Sequence, residues 1–211
     1  DMSVLSQLLN TLTTTQNTRT PTMPTYKVSA SDDLIDNPSA RCACMVVLDT
    51  SGSMWGNAIK QLNEGFREFL TALNNDEMAA CSVEVGVITA GGSVQEHLPF
   101  TTAMNIENVA PFSASGGTPL GAAVERALQR LDARKAEYRR SGVAYYQPWL
   151  VIISDGSPTD SWTHAAARAR QQSAERKLVC LAVGVDGADI SQLGAFSSRP
   201  ALHLKGLKFA E

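Results

Sequence analysis

The sequence lacks long hydrophobic runs and dense basic clusters. No apolar stretch among its 211 residues approaches the roughly 18 that a membrane-spanning helix needs. The formal net charge is −3 and the Lys and Arg residues are dispersed, which argues against a nucleic-acid-binding surface. The first residues show neither a basic start nor an uninterrupted apolar core, so no signal peptide is expected. We therefore expect a cytoplasmic protein that contacts neither membranes nor nucleic acid.

Cysteine and histidine are also scarce. The four cysteines, Cys42, Cys44, Cys81 and Cys180, include no Cys-x-x-Cys pair, and the three histidines are far apart in the chain. Both features argue against a zinc site. Cys42 and Cys44 lie two positions apart on a predicted strand, where they cannot easily form a disulfide. Buried, reduced thiols are the expectation, as in other cytoplasmic proteins.

Residues 1–40 differ in composition from the rest of the chain. Between Thr11 and Thr25 there are eight threonines and two prolines, with few large apolar side chains. A segment of this composition cannot bury enough apolar surface to fold by itself. We predict a Thr-rich N-terminal extension over 1–40, partly extended or disordered, and one folded domain over 41–211.

From residue 41 onward, apolar runs alternate with helix-like stripes. Gly91 and Gly92 predict a hairpin between the second and third strands. Predicted strands cover 42–48, 83–89, 94–100, 149–153, 178–185 and 201–204, and predicted helices lie around 58–73, 120–131, 162–175 and 190–196. This alternation indicates a doubly wound α/β sheet, mostly parallel with one antiparallel edge strand and with helices on both faces.

The most informative motif follows the first predicted strand. Asp49, Ser51 and Ser53 are spaced two residues apart within Asp-Thr-Ser-Gly-Ser-Met, so their oxygens can converge where the strand ends in a tight turn. Hard oxygen donors suit Mg²⁺ or Mn²⁺ and suit zinc poorly. Asp155 ends the fourth strand and Thr118 begins the second helix. If the two strands are neighbours, all three segments face one crevice beyond the carboxyl ends of the strands.

The pattern Asp-x-Ser-x-Ser-Met resembles the first part of the metal-ion-dependent adhesion site of von Willebrand factor type A (VWA) domains. In that family a threonine and an aspartate from two later loops complete the site, and Thr118 and Asp155 occupy the matching positions. The resemblance implies a Rossmann-like VWA fold and a metal site formed by Asp49, Ser51, Ser53, Thr118 and Asp155. Mg²⁺ is the first expectation, with Mn²⁺ or Ca²⁺ as alternatives. VWA domains normally carry a helix after the last strand, which the range 41–211 is expected to lack.

Several further strings are similar to those of a bacterial subgroup, the tellurium-resistance-associated TerY/YegL-type VWA proteins. They are Asn37-Pro38 with Arg41-Cys42, Ala114-Ser115-Gly116-Gly117-Thr118-Pro119, Tyr145-Tyr146-Gln147-Pro148-Trp149, Asp155-Gly156-Ser157-Pro158-Thr159-Asp160 and Leu204-Lys205-Gly206-Leu207-Lys208-Phe209. Proteins of this subgroup are often encoded beside a PP2C-type phosphatase and a protein kinase. The resemblance implies a stress-response role with one of these enzymes as partner.

The resemblance further implies a binding module and not an enzyme. Neutral hydroxyl ligands leave a divalent ion with enough positive charge to attract an Asp or Glu of a protein partner. The alternatives are a phosphoryl-transfer enzyme of the haloacid dehalogenase type and a scaffold that ignores its metal. The enzyme would want a second aspartate at position 51, where Ser51 stands, and the chain has no G-x-x-x-x-G-K-[ST] loop and no G-x-S-x-G turn. Trp55 and Trp162 each lie just after a metal loop. Each is either a core residue or an exposed aromatic residue at the rim of the site, where a partner would bind.

Overall fold

The computed structural model describes Leu34, residues 37–185 and residues 187–203. These residues form a six-stranded sheet flanked by helices. The strands are β1 (Cys42–Asp49), β2 (Val83–Gly91), β3 (Ser93–Thr102), β4 (Trp149–Ser154), β5 (Val179–Gly184) and β6 (Leu202–His203). The helices are α1 (Asn57–Asn75), α2 (Glu77–Ser82), α3 (Leu120–Ser141), α4 (Thr163–Ala174) and α5 (Ile190–Gly194), and short 3₁₀ turns cover Gly52–Met54 and Ala103–Asn105.

Strand β1 lies inside the sheet, whose strand order is β3-β2-β1-β4-β5-β6. It pairs in parallel with β2 and with β4, whereas β3 pairs antiparallel with β2 at the edge. Every residue of β1 is buried, as expected for a parallel strand with both faces covered. The predicted α/β architecture, mostly parallel with one antiparallel edge strand, is therefore confirmed.

Alternate residues of β1 enter two separate cores, so helices cover both faces of the sheet. One face packs against α1, through the alternating set Cys42, Cys44, Val46 and Leu48 and the helix stripe Leu62, Phe66, Phe69 and Leu73. The other face, with Ala43, Met45 and Val47, packs against α3, α4 and α5. This arrangement leaves the carboxyl ends of the strands open to loops.

The sequence pattern does not predict helix α2. Its six residues are too few for an apolar stripe to emerge, but the side chain of Asp76 caps it by accepting a hydrogen bond from the backbone N–H of Ala79 at 2.9 Å. Helix α3 also extends beyond its predicted end at residue 131. It stops at Ser141, where Gly142 adopts a left-handed conformation with φ of 67°.

A buried ion cluster joins the amino-terminal ends of β1 and β2 to α3. The fully buried Glu84 accepts two hydrogen bonds from the guanidinium of Arg134, at 2.7 and 2.9 Å, and one from the hydroxyl of Tyr138. The Nε of Arg41 lies 3.8 Å from the same carboxylate. A buried carboxylate needs such partners because removing a charge from water costs several kcal/mol. Deleting one partner of a buried ion pair typically lowers the free energy of unfolding by about 3–5 kcal/mol. The cluster lies at the opposite end of these strands from Asp49.

Three predictions fall partly or wholly outside the described residues: the extended or disordered character of 1–40, the string 204–209 and the absence of a C-terminal helix. The division of the chain at residue 40 stays a prediction. The described residues next to it touch the domain, because Asn37 Nδ2 donates a hydrogen bond to the carbonyl oxygen of Cys81 at 2.8 Å. In the described part of the chain, no helix combines the length and apolarity needed to span a bilayer.

Candidate metal centre

The two predicted metal carboxylates come from neighbouring strands. Asp49 ends β1, Asp155 follows β4, and these strands pair in parallel with Leu48 beside Ile153. Parallel neighbours bring their carboxyl ends to the same edge of the sheet. The structure therefore places both carboxylates at one edge, as the sequence predicts.

Asp49 is fully buried and held by two donors. Its Oδ1 accepts a hydrogen bond from the backbone N–H of Ser51 at 2.9 Å, and its Oδ2 accepts one from Ser154 Oγ at 2.6 Å. Burial raises the pKa of the Asp49 carboxyl; the hydrogen bonds from Ser154 and Ser51 lower it in part, and the nearby Asp155 carboxylate raises it further. A divalent ion between the two carboxylates would remove that repulsion.

The serines of the first loop connect Asp49 to Asp155. Ser51 Oγ lies 3.0 Å from Ser53 Oγ, and Ser53 Oγ donates a hydrogen bond to Asp155 Oδ2. The other oxygen of that carboxylate, Asp155 Oδ1, is buried and has no hydrogen-bond partner among the described residues. A buried carboxylate oxygen without a partner is costly, and a bound cation would satisfy it. The residues present thus fit a divalent ion.

Thr118 reaches the same edge from the second loop. The backbone N–H of Gly52 donates to Gly116 O, and that of Ser115 donates to Thr50 O, both at 2.8 Å. These bonds join the second loop to the first. Thr118 is buried beside them. The structure brings all three predicted loops together, while the assignment of Asp49, Ser51, Ser53, Thr118 and Asp155 as metal ligands stays a prediction.

Residues of the third loop that the sequence analysis did not single out as supports hold Thr118 in place. Thr159 Oγ1 accepts a hydrogen bond from the Thr118 N–H, and the Thr159 N–H donates to Thr118 O, each at 2.9 Å. The carboxylate of Asp160 accepts from the backbone N–H groups of Gly121 and Ala122, at 3.0 and 2.8 Å. Asp160 therefore caps α3, whose own first residues follow Pro119 and offer no side-chain cap. That missing local cap is the signal that could have pointed to Asp160.

The two tryptophans that follow the metal loops, and the nearby His164, have different environments. Trp55 is exposed, whereas Trp162 is half-buried and stacks on Phe196 with ring centroids 5.6 Å apart. His164 bonds through Nδ1 to Glu125 Oε1 at 2.9 Å. Trp55 keeps the exposure expected of a rim anchor and His164 is exposed as well, whereas Trp162 packs against the core.

The site contains two carboxylates and three hydroxyls. In the ranges that the structure describes, no three or more His, Cys, Asp or Glu side chains gather in a way that could hold a metal. The candidate site thus has few charged ligands and relies on serine and threonine oxygens. Such a donor set suits hard cations that retain water, and its three hydroxyls contribute no negative charge to the ion.

The sequence profile of the von Willebrand factor type A domain matches residues 44–208. This chain belongs to the von Willebrand factor type A domain family. Among curated relatives, mouse (Mus musculus) matrilin-4 is 31% identical over 143 residues, which cover 65% of this chain and 22% of the matrilin. The chain therefore spans about a fifth of the length of that relative.

Solved structures share the VWA fold. Proximal thread matrix protein 1 from the mussel byssus, with a zinc-occupied MIDAS motif, superposes with a TM-score of 0.56 at 15% identity, covering 80% of this chain and 45% of that one. The manganese-loaded TRAP protein of Plasmodium vivax gives a TM-score of 0.52 at 16% identity, covering 76% and 64% of the two chains. At these identities the likeness shows the fold alone.

Proposed function

We propose that this VWA domain is a metal-dependent protein-binding module whose bound ion recognises an acidic side chain of a protein partner. One observation carries the proposal. The buried Asp155 Oδ1 has no hydrogen-bond partner in the described chain. The other oxygen of this carboxylate accepts a hydrogen bond from Ser53, which in turn contacts Ser51. These groups lie at the edge of the sheet where Asp49 ends β1. A cation is the simplest group that satisfies this oxygen and separates the two carboxylates.

Mg²⁺ is the proposed ion, with Mn²⁺ or Ca²⁺ as substitutes. Asp49, Ser51, Ser53, Thr118 and Asp155 would hold it directly or through water. All five offer hard oxygen atoms, and Mg²⁺ favours octahedral oxygen sites in which several waters remain. The zinc-occupied and manganese-loaded related structures support a divalent ion, and the donor chemistry of this chain favours magnesium over zinc.

Attraction between the bound ion and a carboxylate of the partner is the proposed means of recognition. Serine and threonine hydroxyls contribute no negative charge, so an incoming Asp or Glu gains Coulomb attraction and a direct bond to the ion. The interaction should depend strongly on the metal and weakly on NaCl, because a direct metal bond is screened less than exposed ion pairs.

The resemblance to TerY/YegL-type proteins supports a narrower proposal. The partner would be a PP2C-type phosphatase or a protein kinase in a cytoplasmic stress-response system such as tellurium resistance. The free state of all four cysteines, three of them buried, is compatible with a reducing compartment.

Titration calorimetry tests the metal site. Mg²⁺ and Mn²⁺ should bind saturably to the intact chain, and Asp49→Ala should abolish the heat of binding while the far-UV circular dichroism is unchanged. Glu107→Ala, which removes an exposed acid outside the three loops, is the matched control and should bind like the parent. Equal Mg²⁺ affinity in Asp49→Ala would remove the proposed site.

A pull-down from the native host tests recognition. The expected result is a protein captured in Mg²⁺, released by EDTA, and lost with Thr118→Ala and Asp49→Ala. A partner retained equally in EDTA and by both variants would favour the metal-independent scaffold.

The phosphoryl-transfer alternative has a separate test. We expect no Mg²⁺-dependent hydrolysis of phosphoesters or nucleotides, because Ser51 stands where a general acid would be needed. Turnover that survives repurification and disappears in Asp155→Ala would establish an enzyme instead.

A further inference from the structure

Trp55 is the most exposed large apolar side chain in the described part of the molecule. Its exposed fraction is 80%, against 55% for Met104 and 50% for Met78. It lies two residues after Ser53, at the end of the 3₁₀ turn Gly52–Met54 that carries the candidate ligand. A tryptophan in this position offers a large apolar surface directly beside the metal site.

The backbone fixes the direction of Trp55, because its neighbour Met54 anchors the turn. Met54 is 1% exposed and belongs to the core on the α1 face. The N–H of Trp55 donates to Gly52 O at 3.1 Å, and Gly56 follows with φ of 89°. Met54 therefore holds the turn to the domain while Trp55 points away from it. Packing within the described chain does not require the indole.

The three loops that form the site carry no basic side chain. The three loops, residues 50–56, 113–119 and 155–162, contain no Lys, Arg or His and only two acids. One acid is Asp155, in the candidate site, and the other is Asp160, whose oxygens cap α3. Ion pairs with basic groups of these loops thus cannot select a partner, and one metal–carboxylate bond cannot distinguish one acidic peptide from another. Trp55 supplies the large exposed apolar surface of these loops.

We propose that Trp55 sets the specificity of the site by packing against an apolar or aromatic side chain close to the acidic residue that binds the ion. The inference rests on the proposed function. Two positions of chain span at most about 7 Å, so Trp55 lies no farther than that from Ser53 along the backbone. A partner in extended conformation rises about 3.3 Å per residue, so its apolar side chain lies one to three residues from its Asp or Glu. The partner is thus a segment with an acidic residue followed or preceded by a large apolar one.

A peptide library with one fixed aspartate and random flanks tests this pairing. The library is panned on the immobilised chain in Mg²⁺ and eluted with EDTA. Aromatic or large aliphatic residues should be enriched within three positions of the aspartate. Trp55→Ala should lose that enrichment and bind the best peptide about tenfold more weakly, whereas Trp55→Phe should retain most of the affinity.

Two controls separate recognition from damage to the site. Mg²⁺ affinity measured by calorimetry should be the same in the parent, Trp55→Ala and Trp55→Phe. Met104→Ala removes another exposed apolar side chain, outside the three loops, and should leave the peptide preference unchanged. EDTA-eluted peptides without an apolar preference, or with equal affinity for Trp55→Ala, would overturn the role of Trp55 and leave the metal-dependent function standing. A library in which no peptide depends on both Mg²⁺ and the aspartate would overturn both.

Discussion

Ser154 donates a hydrogen bond of 2.6 Å to the buried Oδ2 of Asp49 from the adjacent strand. The same Ser154 Oγ accepts a hydrogen bond from the backbone N–H of Gly156 at 2.9 Å. One hydroxyl thereby orients the carboxylate that ends β1 and fixes the start of the loop that carries Asp155. Groups that orient metal ligands in this way contribute to metal affinity.

Ser154→Ala should weaken Mg²⁺ binding by about tenfold or more, because outer partners of metal ligands typically contribute 10–100-fold. The loss leaves Oδ2 of Asp49 without its donor and the Gly156 N–H without an acceptor. Calorimetry in Mg²⁺ provides the measurement. Ser157→Ala, an exposed serine of the same loop, should leave the affinity unchanged, and an equal loss in both variants would contradict the orienting role of Ser154.

A second prediction concerns the contact between the first two loops and the β2–β3 hairpin. Gly116 has φ of 68°, and a Cβ there would lie 2.4 Å from Gly92 Cα. Gly116→Ala should therefore push the hairpin and the Thr118 loop apart. We expect a severalfold loss of Mg²⁺ affinity and a lower thermal stability of the domain. Thermal unfolding in EDTA and calorimetry together record the two effects.

Gly142→Ala is the control for backbone strain. Gly142 has nearly the same φ, 67°, but nothing lies within 4 Å of its Cβ position. That variant should lose about 1 kcal/mol of unfolding free energy and bind Mg²⁺ normally. A normal affinity in Gly116→Ala would show that the loops can separate without affecting the site.

The ion cluster around Glu84 should matter for stability and not for metal binding. Glu84→Ala leaves Arg134 without its bidentate partner in a mostly buried position, and removing one member of a buried pair typically costs about 3–5 kcal/mol. Urea unfolding measures the loss. Any fraction that remains folded should bind Mg²⁺ with parental affinity, because the cluster lies at the far end of the strands. A variant that is fully stable, or one whose folded fraction fails to bind the ion, would contradict this separation.

Alkaline pH should destabilise the domain through its buried thiols. Burial raises the pKa of Cys44 from 9.0 to about 12, and that of Cys180 likewise to about 12. Because the folded pKa is the higher one, the stabilisation is complete below pH 9 and is lost as the pH rises towards 12. Each thiol lowers the unfolding free energy by up to about 1.4 kcal/mol per pH unit in that range.

Urea titrations at pH 7.5 and pH 10 check this dependence. The difference between the two should shrink in Cys44→Ala and in Cys180→Ala. Cys81→Ala, which removes a thiol that is only partly buried, is the matched control. An identical pH difference in all three variants would mean that other groups cause the alkaline loss.

Sequence patterns predict the sheet well because its strands are buried on both faces and separated by helical stripes. The run that ends at Asp49 and the run that ends before Asp155 are recognisable from composition, and the parallel rule places their ends together. Helix α2 escaped prediction because its six residues cannot show a period.

The residues that position the metal ligands are not predicted from the sequence for a different reason. Ser154, Thr159 and Asp160 act on partners that are distant in sequence, and the Asp160 cap on Gly121 spans 39 positions. Such contacts depend on strand order and loop packing, which no local pattern contains. Their residue types are visible in the sequence, but their partners become visible only once β1 and β4 are known to be neighbours.

The position of β1 inside the sheet has a mechanical consequence. Both of its neighbours run parallel to it, and Asp49 is its last residue. A partner that pulls on an ion held by Asp49 would therefore load β1 along its own axis. Under such tension the backbone hydrogen bonds to β2 and β4 must shear together and cannot open one after another. The metal site would therefore be attached to a strand that resists being pulled out of the sheet.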